Sequence, residues 1–442
     1  MTQCIPIDSE GGLINTFRHG VHPAGNKAYT ADKETRVMPP PAVVSIPVAQ
    51  HIGKPSVPVV SPGDRVVKGQ KIAAASGLGA DVFASVSGTV TAVEDRPTLA
   101  GICRHILIEN DYKDEATHFS PLSDPSRREI LSRVAECGIV GMGGAGFPTA
   151  VKLDADKPVD TLIVNGAECE PYITCDYRLM VERSDEVIDG ALLMAKAAGV
   201  RHATIAVEDN KRDTAALLAA RIEAGKLNAE VVTVKTKYPQ GAEKQLVYAV
   251  TKRRVPAGKL PTAVGCIVSN VHTAYAVHQA VREGKPSYER YMTVSGDGIA
   301  EPANLLVATG TSYKDVIEFC GGEKGRAVKL ISGGPMMGVA AAGPDFSVTK
   351  TSGCLLLLTA DAAFTGAPGP CINCAGCSKA CPMSLMPMYI DACILHGDLD
   401  GAEKYGAKHC IECGCCAYVC PAKRPLVQSI RLAKKKLREA GR

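Results

Sequence analysis

The chain of 442 residues has no tryptophan, and aromatic residues make up only 5% of it. Proteins that bind single-stranded nucleic acid stack bases on aromatic side chains, so this poor supply argues against such a role. Neither sign of charge is in excess. There are 50 Lys and Arg against 46 Asp and Glu, and a formal net charge of +4 is too small for a nucleic-acid-binding surface. The one locally basic stretch, RLAKKKLREAGR at 431–442, fits either a solvated helix end or a contact with anionic lipid or a partner. Long hydrophobic runs are also missing. The nearest, CLLLLTADAAF at 354–364, falls short of the roughly 18 residues of a membrane span and contains Asp361. The opening MTQCIPIDSE carries acids and no apolar core, which argues against a secretory signal.

Cysteine, by contrast, is abundant: there are eighteen. Without an export signal the expectation is a reducing compartment, where thiols stay free to take metal. CINCAGCSKACP at 371–382 and CIECGCCAYVCP at 410–421 repeat one pattern, C-x2-C-x2-C-x3-C-P. That is the spacing of a two-cluster ferredoxin, in which three cysteines wrap one cube and the fourth crosses to the other. Cys371, Cys374, Cys377 and Cys420 are therefore expected to hold one [4Fe–4S] cluster, and Cys410, Cys413, Cys416 and Cys381 the second. Zinc ribbons use two separated C-x2-C pairs, and structural disulfides belong to exported proteins. Cys415 aligns with Gly376 and Cys393 lies between the blocks, so neither belongs to the pattern. Cys4, Cys103, Cys137, Cys169, Cys175, Cys266, Cys320 and Cys354 have no ligand spacing and are read as small buried residues.

A chain this long cannot be one core. After an N-terminal extension, 1–40, short apolar runs punctuated by Gly and Pro across 41–115 indicate a compact all-β module. Within it, PGDRVVKGQ and ASVSGTVTAV resemble the barrel-sandwich hybrid of lipoyl and biotinyl carriers. Those carriers display a modified lysine on a hairpin, but the matching segment here, AAASGLGADV, has none, which leaves a structural or docking role. Across 120–289, DTLIVNGAE, ATIAVED and AEVVTVK read as buried strands separated by helical segments, an α/β domain with a mainly parallel sheet. Residues 290–345 return to β signals around one helix and resemble an SLBB β-grasp module, either ligand-binding or purely packing. The Gly/Pro-rich TGAPGP at 365–370 then leads into 365–442. There the helix-like segment between the cysteine blocks predicts a helical dicluster domain. The fold class is thus multidomain, α/β plus β.

GMGGAGFPT at 141–149 satisfies G-x-G-x-x-G through Gly141, Gly143 and Gly146. An ordinary dinucleotide fingerprint follows a strand, whereas here a helical segment precedes the loop, so a standard Rossmann site is rejected. Bare glycines still let backbone N–H groups approach a phosphate, with Pro148 where a helix begins; the alternative is a tight turn.

GMGGAGFPTAVKL followed by VNGAECEP resembles the FMN- and NADH-binding fold of the flavoprotein subunit of respiratory complex I. The module order, with HGVHP and PVAQHIGKPSVPVV in front and two ferredoxin motifs behind, is similar to the RnfC family of Rnf complexes, ion-translocating ferredoxin:NAD oxidoreductases. The similarity covers nearly the whole chain. It implies that Gly141, Gly143, Gly144 and Gly146 line FMN, that Lys152 approaches its phosphate or ring, and that Asn165 and Glu168 contact the flavin. It further implies that Phe147 stacks on NADH and that Glu170 lies near the nicotinamide ribose. Gly241, Glu243 and Asn270 would stand near the cofactors, with Glu170 and Glu243 as the catalytic candidates. Two positions depart from the complex I pattern, Ala167 and Ala242, where acids are expected. From the residues alone, Glu170 and Glu243 also fit exposed helix-end acids, and Lys152 an ordinary surface lysine. His19, His22, His51 and His272 are scattered and suit local hydrogen bonding.

The activity implied is electron transfer between two [4Fe–4S] clusters and NAD(H) through FMN. The setting implied is the cytoplasmic face of a bacterial membrane, beside integral membrane and ferredoxin-like subunits, with ferredoxin reached indirectly and no nucleic acid. Two rivals carry similar equipment: a cobalamin reductase of the propanediol-utilisation type, whose module order differs, and a non-catalytic electron-carrying docking scaffold.

Overall fold

The structure is a computed structural model and describes residues 15–442. Cys4 and the start of the N-terminal extension lie outside the described residues.

Alternating apolar residues between 43 and 110 build two small sheets that face each other. One contains Val43–Pro47, Gly101–Asn110, Gly88–Thr98 and Arg65–Val66, and the other Val57–Pro58, Lys71–Ala74 and Val82–Phe83. Val44, Ile46, Ile72, Val82, Ile106 and Ile108 from both sheets form one core, the barrel-sandwich hybrid.

The α/β domain has four parallel strands in the order Ala229–Val234, Ala203–Glu208, Thr161–Gly166, Cys266–Asn270. Every residue of Ala203–Glu208 is buried, as expected of a central strand covered by helices on both faces. The chain steps outward on one side of Thr161–Gly166 and then returns to its other side. The crevice beyond the carboxyl ends of Thr161–Gly166 and Cys266–Asn270 is therefore the topological switch point, where open α/β sheets bind ligands. On one face, the helices Ser184–Ala198 and Val271–His278 cross at Gly190, where an added Cβ would lie 1.9 Å from the Ala274 carbonyl oxygen.

The third module is a six-stranded sheet with the parallel pair Glu289–Ser295 and Cys354–Leu358 at its centre and the helix Tyr313–Phe319 packed on it. Cys354–Leu358 is the apolar run beyond the expected module end at 345. It is buried throughout because both faces of a central strand are covered, and the sheet is incomplete without it. At the opposite edge Thr35–Val37, from the N-terminal extension, pairs in parallel with Ala303–Ala308. The extension also ties the other modules together, since the Gly20 N–H donates to the Ala380 carbonyl at 3.0 Å and Val21 bridges Tyr238.

The last module is helical. Pro387–Leu395, Leu399–Lys404 and Leu426–Glu439 enclose a core of Ile390, Ala402, Ile430, Ala433 and Leu437. The basic stretch at 431–442 is partly committed inside the domain: Arg431 and Lys434 pair with Glu412 at 2.9 and 2.5 Å, and Lys434 donates to the Cys410 carbonyl at 3.1 Å. No helix among the described residues is long and apolar enough to cross a membrane.

Gly190→Ala tests the helix crossing. Intrinsic propensity favours Ala by about 1 kcal/mol, but the close backbone approach is expected to reverse the sign, with a net loss of about 1–3 kcal/mol from overpacking. Equal or higher stability in denaturant titration would contradict the crossing.

Candidate functional site

The glycine loop leaves the helix Arg127–Glu136 through Gly138, whose φ is +62°. The Gly141 N–H donates to the Phe147 carbonyl at 2.8 Å and closes the loop on itself. Met142 is held from two sides: its N–H donates to Thr273 Oγ1 at 2.9 Å, and its carbonyl accepts from Arg290 Nη2 at 2.9 Å. A Cβ at Gly143 would lie 2.8 Å from the Asn270 Cβ, whereas one at Gly144 would meet nothing within 4 Å. Gly146 has φ +71° and is closed in by Thr351, Gln50 and His51. The tip 143–145 is thus the exposed part of an otherwise enclosed loop, with half-buried Phe147 at its base.

The loop faces the ends of the two switch-point strands. Asn165 donates Nδ2 to the Gly241 carbonyl at 2.8 Å and accepts the Ala167 N–H at 3.0 Å. Asn270 accepts the His272 N–H at 2.8 Å, capping the helix Val271–His278, and donates Nδ2 to Asp176 Oδ2 at 2.6 Å. Lys152 and Glu243, both partly exposed, pair at 2.5 Å.

Glu168, expected to touch the flavin, is buried with both oxygens occupied by protein partners. Oε1 accepts the Asp176 N–H at 2.8 Å, and Oε2 accepts Lys211 Nζ at 3.1 Å with Lys27 Nζ 3.9 Å away. It fastens the loop rather than presenting a free acid. Lys27 keeps 18% of its side chain in solvent, but its ammonium is enclosed by the carbonyls of Glu168, Glu170 and Ile173 at 2.8, 3.0 and 2.6 Å. Several buried polar atoms here have no protein partner: Asp176 Oδ1, both oxygens of Glu208, and the side-chain amide atoms of Gln240. Burial pushes Asp176 up to about 6 and raises Glu208 as well.

Glu170 is also placed differently from an open ribose contact. Its carboxylate accepts the N–H groups of Met336 and Met337 at 3.2 and 2.9 Å, so the loop after Lys329–Ser332 closes over it. Burial pushes it up to about 7, and the two N–H groups offset only part of that shift.

The cysteine blocks interlock. Cys381, from the first block, lines one cavity with Cys410, Cys413 and Cys416 from the second. Cys377 and Cys420 share an apolar cluster with Met388, Leu426 and Val427. The Gly369 N–H donates to the Ala422 carbonyl at 2.9 Å, bringing the chain ahead of Cys371 beside the chain after Cys420. Cys371 and Cys374 are exposed. The backbone is duplicated along with the spacing: Asn373, Ala375 and Ser384 adopt positive φ, as do Glu412, Gly414 and Lys423 at the same offsets in the second block. The Leu385 and Glu412 N–H groups donate to Cys381 Sγ and Cys410 Sγ at 3.4 and 3.3 Å and offset part of the rise that burial gives both thiols. None of the described cysteines is in a disulfide.

Cys415 is fully buried, its thiol 3.9 Å from the Tyr238 carbonyl, and the Tyr238 hydroxyl donates to the Cys413 carbonyl at 2.6 Å. Gln245 Nε2 lies 3.4 Å from Met383 Sδ, and the Gly241 N–H donates to Cys169 Sγ at 3.4 Å. The segment Tyr238–Gln245 therefore touches the glycine-loop pocket on one side and the second cysteine set on the other. An arrangement of this kind joins a phosphate-accepting crevice to thiolate-held metal with protein packed between them.

Lys27, Lys211, Arg290, Lys350, Asp176 and Tyr238 escaped the sequence reading. A buried lysine and a solvated one look identical in a single sequence; only the fold reveals that Lys350 is fully enclosed, with burial pushing its ammonium down to about 7.

Comparisons with known proteins follow the same division. Residues 15–113 match the family model described as the RnfC barrel sandwich hybrid domain, and 134–279 the Nuo51 FMN-binding domain. Residues 291–340 match the SLBB domain and 367–421 the 4Fe-4S dicluster domain. The chain is 47% identical over 439 residues to the C subunit of the proton-translocating ferredoxin:NAD(+) oxidoreductase complex of Clostridium ljungdahlii, covering 97% of this chain and 95% of that one. It is 44% identical over 433 residues to the C subunit of the ion-translocating oxidoreductase complex of Rhodobacter capsulatus, covering 96% and 83%. It is 43% identical over 430 residues to the C subunit of the Na(+)-translocating ferredoxin:NAD(+) oxidoreductase complex of Acetobacterium woodii, covering 96% and 97%.

The position of Glu170 predicts a pH effect. Its folded pKa, about 7, lies above the ordinary 4.5, so the folded state binds the extra proton between these values. The corresponding stability is present below 4.5 and is lost as pH rises through about 7, on the order of 3 kcal/mol. Glu170→Gln should remove that component, so the stability difference between wild type and variant should tilt toward the variant from pH 4.5 to 7.5. A difference that stays flat across this window in paired melting curves would contradict the enclosed carboxylate.

Proposed function

Since the chain belongs to the RnfC family, the C subunits of ion-translocating ferredoxin:NAD(+) oxidoreductase (Rnf) complexes, we propose that it is the subunit in which electrons pass between single-electron carriers and NAD(H). The observation that carries this reading is the contact of the segment Tyr238–Gln245 with both the glycine-loop pocket and the second cysteine set. The residues present suit the implied groups. The exposed tip 143–145 and Lys152 offer backbone N–H groups and a cation to the FMN phosphate, and the buried Asp176 Oδ1, an acceptor without a protein partner, stands beside Asn270 at the switch point. The interleaved cysteines, with N–H groups directed at their sulfurs, suit two [4Fe–4S] clusters. FMN, when bound, supplies exchange of a hydride with the nicotinamide on one side and of single electrons with the clusters on the other.

The protein's part is to orient and to seal. Asn165 fixes the Gly241 backbone at the end of the sheet, and Asn270 packs against Gly143, so the walls of the crevice are rigid. Glu243 neutralises Lys152 and would release it to the phosphate, while Phe147 offers its ring to the nicotinamide. Glu170 acts by closure: it holds Met336 and Met337 over the loop 167–170 and so excludes water between pocket and clusters. The exposed Cys371 and Cys374, with Ile372 beside them, make the first cluster the exchange point with a ferredoxin-like partner subunit. Ion passage belongs to integral membrane partners, with this chain peripheral at the cytoplasmic face.

Anaerobic purification with iron, sulfide and flavin quantitation tests this reading. About eight irons and one FMN per chain are expected, with the flavin bleaching on addition of NADH; fewer than about six irons would sink the two-cluster assignment. A mere scaffold would carry no FMN. Cys413→Ser should lose about half the iron while Cys415→Ala keeps it, and the reverse would overturn the choice of ligands. Lys152→Ala should slow NADH-dependent flavin reduction about tenfold, the cost of one charged hydrogen bond, with iron unchanged. Normal kinetics would remove Lys152 from the pocket.

A further inference from the structure

The barrel-sandwich module lacks the lysine that gives carriers of this fold their purpose, and its contacts suggest another use. Its segment 50–52 lies directly behind the glycine loop: the Ile52 N–H donates to the Gly146 carbonyl at 3.2 Å. A Cβ on Gly146 would lie 3.0 Å from the Gln50 carbonyl oxygen, 3.1 Å from the His51 Cα and 2.9 Å from the Thr351 Cγ2, so the loop is walled in at that point. We propose that the sandwich is the rear wall of the FMN-binding loop and that Lys350 is the positioning residue that fastens the two together. The proposal rests on the reading of the glycine loop as an FMN site.

Lys350 is fully buried where three modules meet. Its main-chain N–H donates to Gln50 Oε1 at 2.9 Å, and its ammonium donates to the carbonyls of Asp81 at 2.6 Å and Gly138 at 2.8 Å, with the Phe83 ring centre 5.6 Å away. Gln50 is itself oriented by donating Nε2 to the Pro47 carbonyl at 2.9 Å. One residue thereby grips the sandwich at two places and the glycine loop at its origin. Two residues further on, the Ser352 carbonyl accepts Arg290 Nε at 3.0 Å, and the same guanidinium holds the Met142 carbonyl. The turn 349–353 thus governs the loop at Gly138, Met142 and Gly146, leaving only 143–145 open. A buried ammonium is costly to desolvate, and a neutral side chain of similar length would fill the space with less penalty. What the amine adds is direction: N–H donors aimed at two carbonyls from different modules, which sets the loop's shape before any ligand arrives.

The test uses full-length Lys350→Met, purified anaerobically, with two measurements. The first is amide hydrogen exchange of peptides covering 138–147 and 47–56; the second is FMN affinity, from fluorescence titration of flavin-stripped protein. The expectation is at least about tenfold faster exchange in 138–147 and about tenfold weaker FMN binding, with iron content and protection of Thr161–Gly166 unchanged. Unaltered exchange in 138–147 overturns the proposal. Faster exchange with unaltered FMN affinity overturns the FMN reading of the loop while the mechanical tie stands. Should Lys350→Met fail to fold, Gln50→Ala, which leaves the ammonium in place and removes one grip, should raise exchange in 138–147 about threefold, and no change there again overturns the tie.

Discussion

Three carbonyls converge on the ammonium of Lys27, and much of the site's geometry follows from that cage. The carbonyls belong to the loop that carries Glu168 and Glu170, so the N-terminal segment holds the floor of the switch-point crevice in place. With Lys27 on one side and Lys211 on the other, the buried Glu168 carboxylate is paired on both flanks and accepts the Asp176 N–H. A charge this deep is tolerable only when each partner is satisfied by another, and removal of any one leaves the rest uncompensated. The same loop continues to Glu170 and so to Met336, which packs on Gly414 in the second cysteine block. The packing of the cysteine domain against the flavin domain thus traces back to one lysine outside every recognised motif.

What could be read from the sequence was whatever is chemistry at fixed spacing. The two cysteine blocks suggest their ligands because the interval between sulfurs is itself the requirement; in the fold Cys381 lines one cavity with Cys410, Cys413, Cys415 and Cys416. Parallel strands and their helices were legible from long, fully apolar runs such as Ala203–Glu208. The glycine loop was legible as a loop, and rejecting a standard dinucleotide site agrees with the strand Thr161–Gly166 coming after it. The detailed roles of the acids were not. Whether Glu168 and Glu170 face a ligand or the protein depends on Lys211, Met336 and Met337, which are distant in sequence and carry no periodic signal. CLLLL at 354–358 could be read as an apolar run but not as the centre of a sheet, since short runs do not distinguish partners.

The duplicated cysteine blocks illustrate how two copies of one motif diverge. Their backbones turn left-handed at the same offsets, as expected of a shared ligand geometry. Yet Gly376 in the first becomes Cys415 in the second, buried against Tyr238, while Cys371 and Cys374 remain at the surface. One copy is adapted to an internal junction and the other to solvent, an asymmetry suited to a chain with one inner and one outer electron exchange.

The strand Thr35–Val37 also constrains how the molecule can be made. Its partner is Ala303–Ala308, and close by Asn304 donates to the Thr30 carbonyl, a contact spanning 274 residues. The strand is synthesised early but has no sheet to join until the β-grasp module has emerged from the ribosome. During that interval the strand remains open to wrong pairings. The turn 349–353, which ties down the glycine loop, is made later still, so assembly of the cofactor crevice is a late event in biogenesis, set by the order of translation.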